Sequence, residues 1–197
     1  MQAWWRMVNG RNNNVHSWLV THLERLNDKW YHKISSFIDC GRSEKPRQAL
    51  ITNGITSEKG QWPWHAAIYL KSAKGSWDYI CGGSLISKQV IITAAHCVTK
   101  EGTEDVQDPR RLTFILGKYL RQFDTVDEGE QRRTVERIIT HPSYSASTYD
   151  SDIALIILKN PVEITFYVSP VCIPANIDSI IEDYHLQPGS VGTVSWN

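Results

Sequence analysis

Apolar and polar positions change rhythm twice along the chain. Between residues 11 and 38, Val15, Trp18, Leu19, Leu23, Leu26, Trp30 and Ile34 recur mostly every three or four positions, with Glu24, Arg25, Asp28 and Lys29 between them. One face of an α-helix repeats at that spacing. The pattern therefore predicts an amphipathic helix, opened by Asn13 or Asn14 as its N-cap. Its expected role is to pack an apolar stripe on the protein's own body. A membrane-surface helix fits less well, because both signs of charge share the polar face. From Gly41 to Gln48 the apolar residues cease, and Pro46 between Lys45 and Arg47 disfavours helix, so this stretch reads as a linker.

After the linker come short apolar runs, most of them bounded by turn residues. They are Ala66–Leu70, Tyr79–Ile80 with Ser84–Ile86, Val90–Ile92, Leu112–Leu116, Thr134–Ile139, Ile153–Leu158 and Val191–Val194. Many are β-branched or alternate polar with apolar, and no long helical pattern interrupts them. The expected fold class is all-β, a barrel or a sandwich. Neither an internal repeat nor a low-complexity tract is present.

Composition narrows the classes of function. Of 197 residues, 41% are hydrophobic and 21% charged, with 21 basic against 21 acidic, which suits a globular domain rather than a collagen, a coiled coil or a disordered chain. A net charge of zero gives no electrostatic reason to expect nucleic acid or an anionic membrane as a partner. No apolar run approaches the ~20 residues of a membrane span. Residues 1–18 contain no apolar core for a signal peptide, which taken literally points to the cytosol. Four cysteines, Cys40, Cys81, Cys97 and Cys172, allow three pairings, and their spacings do not suit zinc. A paired framework would instead imply an oxidising compartment, and a chain whose true beginning is missing would reconcile the two readings.

Two stretches carry candidate chemistry. In Thr93-Ala94-Ala95-His96-Cys97, a histidine follows two small residues at the end of a β-rich run. Small neighbours let an imidazole lie close to backbone without being buried, although a lone histidine there is commonly structural. In Asp152-Ile153-Ala154-Leu155-Ile156-Ile157-Leu158, an acidic residue opens an apolar strand. Such an aspartate is either solvated at the strand end or half buried against a donor. An unpartnered buried carboxylate is costly, so His96 is an attractive partner.

Five strings then occur in order: "ITNG" followed by "WPW", "CGGSLIS", "TAAHC", "DIAL" and "PVCIP". Together they resemble the chymotrypsin/trypsin-like serine proteases, from Cys40 to about Trp196, and the loops have the flavour of secreted arthropod members. The resemblance implies a trypsin-like double β-barrel, with residues 1–39 as a helical N-terminal extension, 40–50 as a pro-segment and 51–197 as the peptidase domain. It implies that His96 is the general base and Asp152 the carboxylate that orients it. An imidazole with an ordinary pKa near ~6.5 can take a serine proton and return it. It also implies the disulfides Cys40–Cys172 and Cys81–Cys97, and a mature N-terminus at Ile51.

The departures are as informative. The family's Gly-Asp-Ser-Gly-Gly string, which carries the nucleophile, is not found in the 197 residues, and Ser195 lacks a glycine-rich context. The expectation is a chain truncated to the first barrel plus a crossing linker, with most of the second barrel missing. Ser84 is expected in a strand, without a catalytic role. Leu50 precedes Ile51 where Arg or Lys is usual, and Arg47 is a less well placed cleavage site. Lys118 stands where relatives that bind calcium tend to carry an acidic ligand, so no metal is expected and Asp124, Asp127, Glu128 and Glu130 read as a solvated loop. His141 reads as structural. No Asn-x-Ser/Thr acceptor occurs. The resemblance implies a secreted serine endopeptidase needing no cofactor, with protein or peptide substrates, an activating protease and serpin-type inhibitors as partners. The alternative is a non-catalytic homologue that serves as a protein-binding module.

Overall fold

A computed structural model describes residues 15, 17–19, 21, 22, 40–43 and 57–173. Leu50, Ile51, the 191–194 run, Ser195 and most of the 11–38 helix and of the linker lie outside the described residues. Six strands follow in order: β1 (His65–Lys71), β2 (Trp77–Leu85), β3 (Val90–Thr93), β4 (Leu112–Leu116), β5 (Gln131–Thr140) and β6 (Ala154–Leu158). They close into an antiparallel barrel in the order β1-β2-β3-β6-β5-β4.

Alternation along each strand separates inside from outside. Ala66 and Ile68 of β1, Ile91 of β3, Leu112, Phe114 and Leu116 of β4, and Ala154, Ile156 and Leu158 of β6 fill the interior. On the outside, two apolar patches are covered. Ala67, Tyr69 and Ile115 pack with Trp77, Tyr79 and Phe123. Val90, Ile92, Ile153 and Leu155 pack with Val15 and Trp18 from the N-terminal helix. β3, β4 and β6 are thus covered on both faces, which is why their sequences read as continuous apolar runs.

The expected pieces Tyr79–Ile80 and Ser84–Ile86 are one strand. Gly82 and Gly83 lie within it and break the apolar pattern, but a Cβ on Gly83 would stand 2.8 Å from Ile91 Cγ2 and 3.0 Å from the Ile92 carbonyl. The glycine lets β2 cross β3 closely. Bulges between Ile68 and Tyr69 in β1, and between Val135 and Arg137 in β5, supply the curvature that closure needs. Cys40 is bonded to Cys172 and Cys81 to Cys97. Among the described residues no helix is long and apolar enough to cross a membrane.

Candidate active site

The register of two strands brings His96 and Asp152 together. β3 and β6 run antiparallel with Thr93 opposite Ala154. The chain leaving β3 therefore passes the chain entering β6. A single 3-10 turn, Ala95–Cys97, carries His96 just beyond the end of β3, and Asp152 lies two residues before β6. His96 Nδ1 is 2.6 Å from Asp152 Oδ2, and the His96 backbone N–H donates to Asp152 Oδ1 at 2.8 Å. Both carboxylate oxygens are engaged.

The two partners differ in exposure. The Asp152 side chain is 4% exposed and the His96 ring 42%. A carboxylate can only accept, so Nδ1 carries the proton shared with Asp152 and Nε2 is left as a base. The hydrogen bond that His96 donates to Asp152 lifts the His96 pKa above its ordinary value, against a burial that pulls it down.

The turn entering β6 is unusual. Tyr149 and Ser151 have positive φ, 56° and 51°, and Ile153 N–H bonds back to the Ser151 carbonyl at 2.8 Å, with Asp152 at the apex. Left-handed backbone costs energy in non-glycine residues and marks a place the surroundings hold by force. Here it aims the carboxylate at His96. Tyr149 then lays its ring across His96, edge to face, with centroids 5.7 Å apart. Neither residue could be singled out from the sequence, because nothing in their types demands this backbone.

Beside His96 opens a cleft of about 300 Å³, lined in part by Leu70, Ile80, Thr99, Lys100, Tyr144 and Tyr149. The Cys81–Cys97 disulfide forms its back wall, with Cys97 Sγ 3.4 Å and Cys81 Sγ 4.0 Å from His96 Nε2. These three residues have the donor types of a metal site, but both sulfurs are spent in the S–S bond and offer no thiolate. Ser84 lies in β2, opposite Ile92 of β3. His141 is 3% exposed, and its Nδ1 accepts the Ser143 N–H at 3.0 Å.

The 117–130 loop corrects the solvated-loop expectation at Asp127 and Glu130, while Asp124 and Glu128 are exposed as expected. Lys118 is 2% exposed and points inward. Its Nζ lies 3.0 Å from Glu130 Oε2 and 3.6 Å from Asp127 Oδ2, and donates to the Thr125 carbonyl. Asp127 also accepts the N–H groups of Tyr119 and Leu120 at 3.0 Å each, and Arg132 grips Glu130 at 2.8 Å. Burial pushes both carboxyls up, but these donors and the Lys118 charge outweigh it and hold both below their ordinary values. The ammonium does not repel an ion from an open loop; it fills the centre of a closed one. Gly129 sits at φ 77°, where a Cβ would meet the Tyr167 ring at 2.2 Å.

The trypsin family profile matches residues 51–195. Limulus clotting factor C of Carcinoscorpius rotundicauda is 40% identical over 171 residues, covering 86% of this chain and 16% of that protein. Inactive serine protease PAMR1 of Homo sapiens is 32% identical over 181 residues, 86% of this chain and 24% of that protein. Modular serine protease of Drosophila melanogaster is 32% identical over 151 residues, 74% and 24% respectively. The chain spans a quarter or less of the length of these relatives. Profile, barrel and relatives agree that this chain belongs to the trypsin family, which includes serine proteases and inactive homologues.

Proposed function

We propose that this chain supplies the acid–base half of a serine endopeptidase. The observation that carries the reading is the buried Asp152 gripping Nδ1 of a half-exposed His96 whose ring lines a cleft. In this role Nε2 takes the proton of an incoming serine hydroxyl as its oxygen attacks a peptide carbonyl. Asp152 stabilises the imidazolium, which then gives the proton to the leaving amine. Residues 51–197 are the peptidase part, 40–50 the pro-segment and 1–39 an extension. Cleavage before Ile51 creates the working N-terminus. Because no Gly-Asp-Ser-Gly-Gly string occurs in them, these 197 residues on their own hydrolyse nothing. The two disulfides support an extracellular setting. Protein substrates, an activating protease and serpin-type inhibitors are its partners.

A second reading is a binding module without catalysis. It is favoured by the likeness to a relative named as inactive and by Leu50 at the cleavage position. A fluorophosphonate probe tests both. The 197-residue chain should take up none. This chain joined to a second barrel that carries a Gly-Asp-Ser-Gly-Gly serine, the extended protein, should label stoichiometrically and lose turnover on His96→Ala. An extended protein that folds, carries no reactive serine and still captures its partner would replace the first reading with the second.

A further inference from the structure

The N-terminal helix lies across the two strands whose ends hold the active pair. Val15 and Trp18 are buried in one cluster with Val90 and Ile92 of β3, and with Ile153 and Leu155 at the start of β6. Ile153 directly follows Asp152. Ala94, two residues before His96, touches both this cluster and the barrel interior. The Trp18 ring stands 5.1 Å from the His141 ring, and His141 donates its backbone N–H to the Ile153 carbonyl at 3.0 Å. Within the helix His22 Nδ1 lies 2.9 Å from the Trp18 carbonyl, with the two rings 4.7 Å apart.

From this we infer that Trp18 is a positioning residue: the helix is a strap whose contact with Ile92 and Ile153 fixes the spacing of His96 and Asp152. The left-handed turn at Ser151 is the part that needs it. Among the described residues Ser151 Oγ is buried with no hydrogen-bond partner, so its own hydroxyl does not hold the turn, and apolar cover from outside adds to the bonds of Asp152 in doing so. Covalent mooring keeps the strap within reach. Cys40 is bonded to Cys172, Gly41 N–H donates to the Pro170 carbonyl at 2.8 Å and Ser43 Oγ to the Gln61 carbonyl at 2.9 Å. Hydrolysis of the peptide bond before Ile51 would leave all three in place. The extension is therefore a working part of the site. The inference deepens the reading of His96 and Asp152 as an acid–base pair, but its readout is the hydrogen bond between them.

The experiment uses the whole 197-residue chain with both disulfides intact. Proton NMR follows exchange of the His96 Nδ1 proton with water, which requires the Asp152 bond to open. In Trp18→Ala the exchange should quicken about tenfold, as local opening becomes easier. Trp18→Phe, which keeps an aromatic ring on Ile153, should restore most of the protection. Val15→Asp, which expels the helix from the same face while leaving Trp18 in the chain, should quicken exchange like the alanine variant. Unchanged exchange in folded Trp18→Ala or Val15→Asp chains overturns the inference. Should both fail to fold, Leu19→Ala at the edge of the cluster is the arbiter: about threefold faster exchange supports the strap, and no change refutes it. An extended protein that is inactive although His96 and Asp152 remain coupled through Trp18 would sink the catalytic reading and leave this one standing.

Discussion

At the rim of the barrel Asp152 holds His96; in the 117–130 loop Asp127 and Glu130 hold Lys118. Both clusters bury carboxylates, and both satisfy them with backbone N–H groups as well as a side-chain nitrogen donor. They differ in what is left over. Lys118 is 2% exposed, and its ammonium is spent on Asp127, Glu130 and the Thr125 carbonyl. His96 is 42% exposed, and its ring lines a cleft. Burial and pairing are thus common to a structural cluster and to the proposed acid–base pair. The exposed, proton-accepting edge marks the latter.

The largest effect that would sharpen this contrast is catalytic. Asp152→Asn keeps the size of the side chain but supplies a donor where Nδ1 needs an acceptor. In the extended, active protein we expect kcat/KM to fall about 10⁴-fold, the loss given by the same change in the well-studied triad of this family. Urea unfolding should move little. A loss under about tenfold would mean that Asp152 does not set the tautomer.

The Lys118 cluster should answer in the opposite way. Lys118→Met leaves two buried carboxylates facing one another without their central cation. Breaking such a cluster from one side costs about 3–5 kcal/mol, to be read from the urea midpoint. His96→Gln, which removes a partner far more exposed to water, should cost under about 1 kcal/mol. Equal costs at the two sites would erase the distinction.

Not all of this was legible from residue order. β3, β4 and β6 were, because strands buried on both faces leave unbroken apolar runs such as Leu112–Leu116. β2 was not read as a single strand, because its glycines are dictated by how near Ile91 and Ile92 pass, a property of the neighbouring strand. The inward turn of Lys118 was missed for a related reason. A lysine among acids reads as solvated until Thr125, Asp127 and Glu130 are seen to surround it in space. Residue types alone made His96 and Asp152 a candidate pair, and the family strings around them supplied the roles. Their cross-strand register, the left-handed turn at Ser151 and the cover from Trp18 belong to the fold rather than to either motif.

Two histidines give the contrast its pH signature, with the larger effect at His65. Burial of its ring, with Nε2 out of contact with water and without a hydrogen-bond partner among the described residues, pulls its pKa down to about 4. A histidine depressed in the folded state is charged more readily once unfolded. Its contribution is fully present above the unfolded value near ~6.5 and is lost as pH falls through the folded value. That window removes on the order of 2–3 kcal/mol between pH 7 and 4, and His65→Gln should flatten the acid limb of a urea-midpoint profile by about that much. A profile unchanged by the substitution would mean that the ring finds a proton acceptor after all.

His96 has the opposite sign and the smaller size. Its folded pKa is raised by the Asp152 hydrogen bond, so its stabilisation is fully present below the unfolded value near ~6.5 and disappears as pH climbs through the folded one. With two-fifths of the ring in water, screening should hold this to less than about 1 kcal/mol. His96→Gln should therefore trim stability slightly at pH 5 and leave it nearly unaltered at pH 9, the reverse of His65→Gln. Catalysis should follow the same titration from the other side: proton abstraction needs neutral Nε2, so kcat/KM of the extended protein should rise with pH through the raised value. A rate profile with its acid limb at or below the ordinary imidazole pKa would show that Asp152 does not favour the imidazolium. The rim pair would then be only another satisfied structural contact, like the one around Lys118.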